Sequence, residues 1–537
     1  MAKLFLGLDA STQSLSAIII DYDSWRVVYD KSLNFDRTLP HYATQNGVLR
    51  SGDPLVAHSP PLMWVEALDT LFAWMKKDRV PLGDLLAISG SGQQHGSVYL
   101  NARASAALTR LNPAKSLVDN LRGVFSRATS PIWMDSSTSA ECAEIRDTLG
   151  DIKATAQKTG SDTFERFTGP QIRKFFKTEP ENYAGTASIA LVSSFMASIL
   201  AGQIAPIDHG DGAGMNLMDI RKKTWRPEAL KATAPKLGTK LPPLAASSKV
   251  IGKVNPYFVK KYGLNPDATA LVWSGDNPCS VVGLGLIEEG NVAISLGTSY
   301  TYFGCMKRCR VDERGEGNVF GAPTGDYMAL ICFKNGALAR EQALHQYGLT
   351  WDDYNRLLRT TKPGNNGGIL LPWFETEIVP RVNKPGIHRF NLDPNDAATN
   401  CRAIVEAQMM SMRLHSAWMK VKPTRIYATG GGSVNAPVLQ IMADVMNCPV
   451  FRIEVAKSAA LGAALRAAHG WLAHSGQKPR WPNIVAGFTD PIPNSEVTPN
   501  PKAVRVYDKL VEKYAICEQD AFTRLNSYQH EASDIQP

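Results

Sequence analysis

Leu4-Phe-Leu-Gly-Leu-Asp-Ala-Ser-Thr-Gln-Ser-Leu-Ser-Ala-Ile-Ile-Ile-Asp21 reads as an apolar strand, a short polar turn and a second apolar strand. The turn, Asp9-Ala-Ser-Thr-Gln-Ser14, has one carboxylate, three hydroxyls and no bulky side chain. Such a hairpin can offer backbone N–H groups and hydroxyls, Thr12 and Ser14 among them, to a phosphate, while Asp9 faces the accompanying metal ion. A plain hairpin turn is the competing reading, since Asp, Ser and Thr favour turns.

The pattern returns in mid-chain. Asn291-Val-Ala-Ile-Ser-Leu-Gly-Thr-Ser-Tyr-Thr-Tyr-Phe303 is again strand, small polar turn and strand. A third stretch, Ile426-Tyr-Ala-Thr-Gly-Gly-Gly-Ser-Val-Asn435, runs from a strand into three glycines ahead of a helix. Three glycines let the backbone approach a nucleoside closely, and Asn435 can hydrogen-bond a base or ribose. Two phosphate-type hairpins this far apart suggest two similar domains with a nucleotide between them. A length of 537 residues also exceeds what one core usually serves.

Composition sets the class. Hydrophobic residues make up 44% and charged residues 20%, as in soluble globular chains. The net charge of +8 comes without a dense Lys/Arg block, thin support for a nucleic-acid partner. No signal-peptide pattern opens the sequence, and the most apolar helical candidate, Ser188 to Leu200, is too short to span a bilayer. Eight scattered cysteines lack zinc-site spacing and read as reduced thiols of a cytoplasmic enzyme.

Together the three stretches resemble the nucleotide site of the actin-like ATPase superfamily. Further motifs bring the sequence close to its sugar-kinase branch, the FGGY carbohydrate kinases. Gln93-Gln-His-Gly96 follows an apolar strand, where ligands of α/β sheets bind; the resemblance implies that His95 contacts the sugar. Ile132-Trp-Met-Asp135 matches a Trp-x-Asp of the family, and Asp135 reads equally as a helix N-cap or a substrate-side acid. Phe164-Glu-Arg-Phe-Thr-Gly169 matches the stretch that supplies an arginine, here Arg166, to sugar hydroxyls. Many bacterial relatives carry a Lys-Leu-x-Trp pattern nearby that this chain lacks. Asp208 to Asp219 is rich in Asp and Gly but lacks the spacing of a calcium loop; the resemblance implies instead that its Ala-Gly-Met-Asn segment lines the sugar side.

Trp273-Ser-Gly-Asp-Asn-Pro278 is a strand end running into a helix start. Taken alone, Asp276 is a fair helix cap. The resemblance makes it the catalytic aspartate, accepting a sugar hydroxyl proton, with Asn277 also on the sugar. Its pKa is expected at the ordinary value of about 3.9. On the nucleotide side the resemblance implies ATP contacts at Thr12, Ser14, Thr298, Trp351, Gly431, Gly432 and Asn435, and Mg²⁺ near Asp9. Without it, Trp351 would be a packing residue.

The expectation is an α/β protein of two ribonuclease H-like domains with a cleft between them. Residues 1–284 are mainly sugar-binding and 285–537 mainly ATP-binding. The implied activity is ATP- and Mg²⁺-dependent phosphorylation of D-xylulose, by a monomer or homodimer with no membrane or nucleic-acid partner. Another ketose, polyol or sugar acid is the nearest alternative. A conformational ATPase and a degenerate sugar sensor lie further off, and no Gly-x-Gly-x-x-Gly supports a Rossmann dehydrogenase.

Local structure is expected as follows. A helix starts at an N-cap Ser59 with Trp64, Phe72 and Trp74 as packing groups. A long helix covers Cys401 to Lys420, and Ser458 onward forms a small-residue helix suited to close packing. The tail frays beyond Ser527.

Overall fold

The computed structural model describes residues 3–454 and 457–533, without the side chains of 525–533. In chain order, β1 (Leu4–Ala10), β2 (Ser14–Asp21) and β3 (Arg26–Asn34) form a meander. They lead to α1 (Pro61–Lys77), β4 (Leu85–Gly92), α2 (Ser139–Leu149) and α3 (Val192–Ala201). β5 (Val250–Lys253), β6 (Thr269–Leu271), β7 (Ser274–Gly275) and α4 (Asp276–Gly283) follow. Then come β8 (Asn291–Leu296), β9 (Tyr300–Met306), β10 (Tyr327–Phe333), α5 (Ala337–Tyr347), α6 (Trp351–Thr360) and α7 (Ala397–His415). The last are β11 (Arg425–Thr429), α8 (Ala436–Met446), β12 (Val450–Arg452), α9 (Ser458–His474) and α10 (Pro501–Ser533).

Several local expectations need correction. The N-cap of α1 is Pro60; the Ser59 hydroxyl instead donates to the Gly47 carbonyl at 2.7 Å. The stretch from Ser188 divides, because Thr186–Leu191 pairs as a strand with Ser97–Asn101 and only α3 is helical. Pairing with a distant strand overrides the local apolar run. α7 starts at Ala397, where Asp396 accepts from the amides of Ala398 and Thr399, and a separate short turn covers Ala417–Met419. α10 continues past Ser527 to Ser533; residues 534–537 lie outside the described ones.

The contacts divide the chain into two compact units. The first comprises Met1–Ile287, Lys307–Met328 and Ala456–Asp490; the second comprises Glu288–Met306, Ala329–Val455 and Pro491–Pro537. In the first unit the sheet order is β5-β6-β4-β1-β2-β3, with β7 beside β4. β1 runs antiparallel to β2 and parallel to β4. In the second unit the order β10-β9-β8-β11-β12 repeats the plan, with β8 antiparallel to β9 and parallel to β11. Each sheet thus sets an antiparallel hairpin (β1–β2, β8–β9) beside a parallel strand (β4, β11) in the ribonuclease H-like arrangement, with β5 closing the first sheet antiparallel to β6.

Alternation along β1 sorts its side chains between two cores. Leu4, Leu6 and Leu8 join the cluster holding the buried Trp64 and Phe72 of α1. Phe5 joins the opposite cluster with Ala460, Ala464, Leu465 and Ala468 of α9. Gly7 lies on this second face, where a Cβ would stand 2.1 Å from the Ala460 carbonyl oxygen. α4 and α9 also touch backbone to backbone. A Cβ on Gly283 would sit 1.9 Å from the Ser458 oxygen, and one on Gly462 1.9 Å from the Cys279 oxygen.

Backbone cannot yield as a flexible side chain can, so Gly462→Ala is expected to cost about 3 kcal/mol or more. Gly52→Ala, where an added Cβ meets nothing within 4 Å, should stay within about 0.5 kcal/mol. Urea midpoints of the two variants against wild type check this; equal midpoints would remove the close-packing argument.

Candidate active site and nucleotide cavity

In the first unit, β1, β4 and β7 run side by side, with Asp9 opposite Ser91 and Gly275 opposite Gly92. The register brings together the strand ends that carry chemistry. Asp9 Oδ1 accepts from the Ser91 hydroxyl at 2.7 Å. Asp276 is the first residue of α4, one position beyond the N-cap, Gly275. Its Oδ1 accepts from the Asn277 amide at 2.8 Å, from Asn277 Nδ2 at 3.1 Å and from the Gln94 amide at 3.3 Å. No hydrogen bond from another described residue reaches Oδ2, which leaves it available to a ligand.

The expected ordinary acidity of Asp276 is corrected by the structure: burial pushes its carboxyl up to about 6, against three backbone hydrogen bonds that pull it down. Burial, then the nearby Asp276 charge, push Asp9 up to about 7, and the Ser91 hydrogen bond opposes them. Both carboxylates are half-buried, and the charge of Asp276 adds to the burial that raises Asp9. They suit Mg²⁺, which keeps most of its waters and uses one or two carboxylates plus substrate phosphates. Among the described residues no cluster of three or more His, Cys, Asp or Glu forms a closed metal cage.

His95 sits beside this pair. Its backbone has φ 74°, rare for a residue with a side chain. Its ring stacks on Phe167 with centroids 4.4 Å apart, and Nδ1 lies 2.9 Å from the Gly214 carbonyl oxygen. A carbonyl only accepts, so Nδ1 carries the proton and Nε2 keeps its lone pair. Burial, then the Arg166 charge, lower the ring's pKa to about 3, so the imidazole is neutral. Arg166 is half-buried, with its guanidinium over Phe164 at 4.9 Å and Phe167 at 5.5 Å.

Gln94 links these groups: its Oε1 accepts from Asn277 Nδ2 at 3.0 Å, while its buried Nε2 has no acceptor among the described residues. The neighbouring buried Gln93 side-chain amide and Asp211 Oδ1 are also without partners among the described residues. Buried polar atoms seldom stay unpaired, so their gathering here marks a place built for a polar ligand. Sequence reasoning named Gln94 and Asp211 only as parts of their loops.

Thr12 lies in the first hairpin turn and Ser14 opens the strand after it. The Trp133 indole donates to Thr12 Oγ1 at 2.8 Å, and the Ser14 hydroxyl is 3.0 Å from that of Ser11. Asp135 does not cap α2, whose N-cap is Thr138. It is a buried acceptor for the Ala57 amide at 3.0 Å and Gln171 Nε2 at 2.8 Å. Burial alone would raise its pKa, but hydrogen bonds from His58, Ser137 and Gln171 hold the carboxyl below its usual range.

Thr298, Trp351, Gly431, Gly432 and Asn435 all belong to the second unit, where they line one cavity of about 570 Å³ with Leu296, Arg340 and Asn355. Gly430 takes φ 78° where a Cβ would press on the Leu296 backbone at 3.0 Å, whereas Gly431 faces open space. Asn435 caps α8: its Oδ1 accepts from the Val438 amide at 3.2 Å, and its Nδ2 donates to Asn355 Oδ1. Asn355 was not anticipated, although it lies one helical turn from Trp351 on α6. Arg340, on α5, was missed as well.

Comparison with known proteins agrees with this organisation. The profile of the FGGY family of carbohydrate kinases, N-terminal domain, matches residues 125–283, and that of the C-terminal domain matches residues 292–471. A xylulose kinase of Rattus norvegicus is 42% identical over 525 residues, 96% of each chain. A "xyloylose kinase" from Brucella ovis superposes with a TM-score of 0.80 at 22% identity, covering 97% of this chain and 99% of that one. A gluconate kinase from Lactobacillus acidophilus gives 0.79 at 20% identity, covering 97% and 98%. The chain belongs to the FGGY family of carbohydrate kinases, and it is a carbohydrate kinase.

The raised carboxyls predict a pH dependence. Folded Asp9 and Asp276 hold their protons to higher pH than the unfolded chain does, so stability is lost as pH rises from about 4 to about 7. Asp9→Asn removes that penalty. In metal-free buffer the variant is expected to exceed wild type by about 1–2 kcal/mol at pH 8, the gain vanishing near pH 4. Urea unfolding at both pH values measures it; an equal gain at both would show that the carboxyl is not desolvated.

Proposed function

We propose that this kinase transfers the γ-phosphoryl group of ATP to D-xylulose, giving D-xylulose 5-phosphate. The observation that carries the sugar is the 42% identity to a xylulose kinase over 96% of both chains. The fold alone does not choose, because a gluconate kinase superposes as well as a ketose kinase does.

In this reading His95 Nε2 accepts from one sugar hydroxyl, Arg166 donates to another oxygen, and Asn277 and Gln94 orient the reacting end. Asp276 is the base. Its free Oδ2 takes the proton of the attacking hydroxyl as the oxygen–phosphorus bond forms, while the bond from the γ-phosphorus to ADP breaks. A pKa pushed up to about 6 leaves Asp276 ionised at neutral pH yet far more basic than an exposed aspartate. The helix start at Asp276 adds a fixed positive dipole next to the phosphoryl group. Thr12, Ser14 and Thr298 hold phosphate oxygens, and Trp351, Gly431, Gly432 and Asn435 bound the nucleoside. Mg²⁺ held near Asp9 would neutralise phosphate charge.

ADP release with MgATP should respond to D-xylulose far more than to gluconate, glycerol or other ketoses. A stronger response to another compound would retain the kinase and replace the sugar. Asp276→Asn is expected to lower kcat by about 10²–10⁴ while MgADP affinity in calorimetry changes little. Turnover near wild type in that variant would remove Asp276 from the role of base.

A further inference from the structure

The second unit has buried arginines in two electrostatic conditions. Arg402 is fully satisfied: Nε donates to Glu406 at 2.6 Å, Nη1 to the carbonyls of Leu358 and Thr361, and Nη2 to the Tyr507 hydroxyl at 2.9 Å. Arg340 is 3% exposed, and its guanidinium has no hydrogen bond and no carboxylate partner among the described residues. Its guanidinium lies over two aromatic rings, Tyr300 at 5.7 Å and Trp351 at 5.8 Å. Its Nε is completely enclosed without an acceptor. An enclosed cationic donor without an acceptor is unfavourable, and an anion in the adjoining cavity would relieve it.

The position of Arg340 says where that anion would bind. Arg340 lines the 570 Å³ cavity together with Thr298, Trp351 and Gly432. Nη2 stands 3.1 Å from the point that a Cβ on Gly432 would occupy. The helix carrying it, α5, starts against the β8–β9 turn, with the Ala337 amide on the Gly297 oxygen at 3.1 Å and Leu338 on Thr298 at 3.4 Å. The guanidinium therefore lies between the hydroxyl turn and the glycine turn. Its planar fork matches two oxygens of a phosphate, and the flanking rings fix its orientation.

We propose that Arg340 is an anchor for the polyphosphate of the nucleotide, completed electrostatically only when that anion is bound. The proposal rests on the reading of this cavity as the nucleotide's place. It gives the arginine a binding role, with no part in holding the unliganded fold.

Calorimetric titration of wild type, Arg340→Met and Arg340→Lys with MgADP and with adenosine separates the roles. Arg340→Met is expected to weaken MgADP at least tenfold and adenosine less than twofold, with Arg340→Lys between. The unliganded Met variant should melt at or above the wild-type temperature, because an unpaired buried charge has been removed. Unchanged MgADP affinity, equal losses for MgADP and adenosine, or a Tm more than about 5 °C lower would each overturn the proposal. Wild type that binds neither ligand would remove the nucleotide reading of the cavity and the arginine's role with it, and would be seen before any variant is compared.

Discussion

The first unit depends on the approach of α9 to β1 and α4 at backbone distance. That helix is formed by residues 458–474, far along the chain, yet it packs against the strand carrying Asp9 and the helix begun by Asp276. Glycines at 7, 283 and 462 remove the side chains that would hold these backbones apart. Arg466, 1% exposed, locks the arrangement from beneath: its guanidinium donates to the carbonyls of Gly90 and Val272 at 3.0 and 2.8 Å and to Ser247 at 3.2 Å. Gly90 belongs to β4, and Val272 lies between β6 and β7. One buried side chain thus ties together the strand ends from which Ser91 and Asp276 are hung.

A frame this tightly packed can hold groups in states that water would not permit. Asp9 and Asp276 are desolvated near one another, His95 is neutral in a left-handed backbone conformation, and Gln93, Gln94 and Asp211 keep buried polar atoms unpaired. In the second unit the buried Arg340 lies over two aromatic rings and has no carboxylate partner among the described residues. Each is a local departure from the usual states of such groups, and a bound cation, hydroxylated sugar or phosphate could supply the partners that the unpaired atoms lack. Such sites draw binding energy from interactions that the protein leaves unfinished.

Much of the fold was legible in sequence because its signals are local. The two hairpins, the triple glycine before α8 and the small-residue run of α9 are short patterns whose backbone needs are set by the residues themselves. The errors came where a distant element decided. Thr186–Leu191 became a strand by pairing with Ser97–Asn101. Asp135, next to a helix start, was drawn inward by Gln171 and Ala57. The two segments by which the later chain rejoins the first unit, Lys307–Met328 and Ala456–Asp490, likewise have no local mark.

The sequence by itself determined the hairpin pair, the family and the identities of the groups able to accept a proton, hold a sugar or meet a phosphate. Motif residues are read directly because hydroxyl turns, glycine runs and an aspartate at a helix start have their chemistry in their own covalent structure. Only the tertiary structure decided the state of those groups. It pushed Asp276 up to about 6, gave His95 its tautomer, committed Asn435 to capping α8 and left Arg340 without a counter-ion. The reason is physical: charge, protonation and hydrogen-bond occupancy depend on which atoms surround a group and how much water they exclude, and those neighbours come from far along the chain.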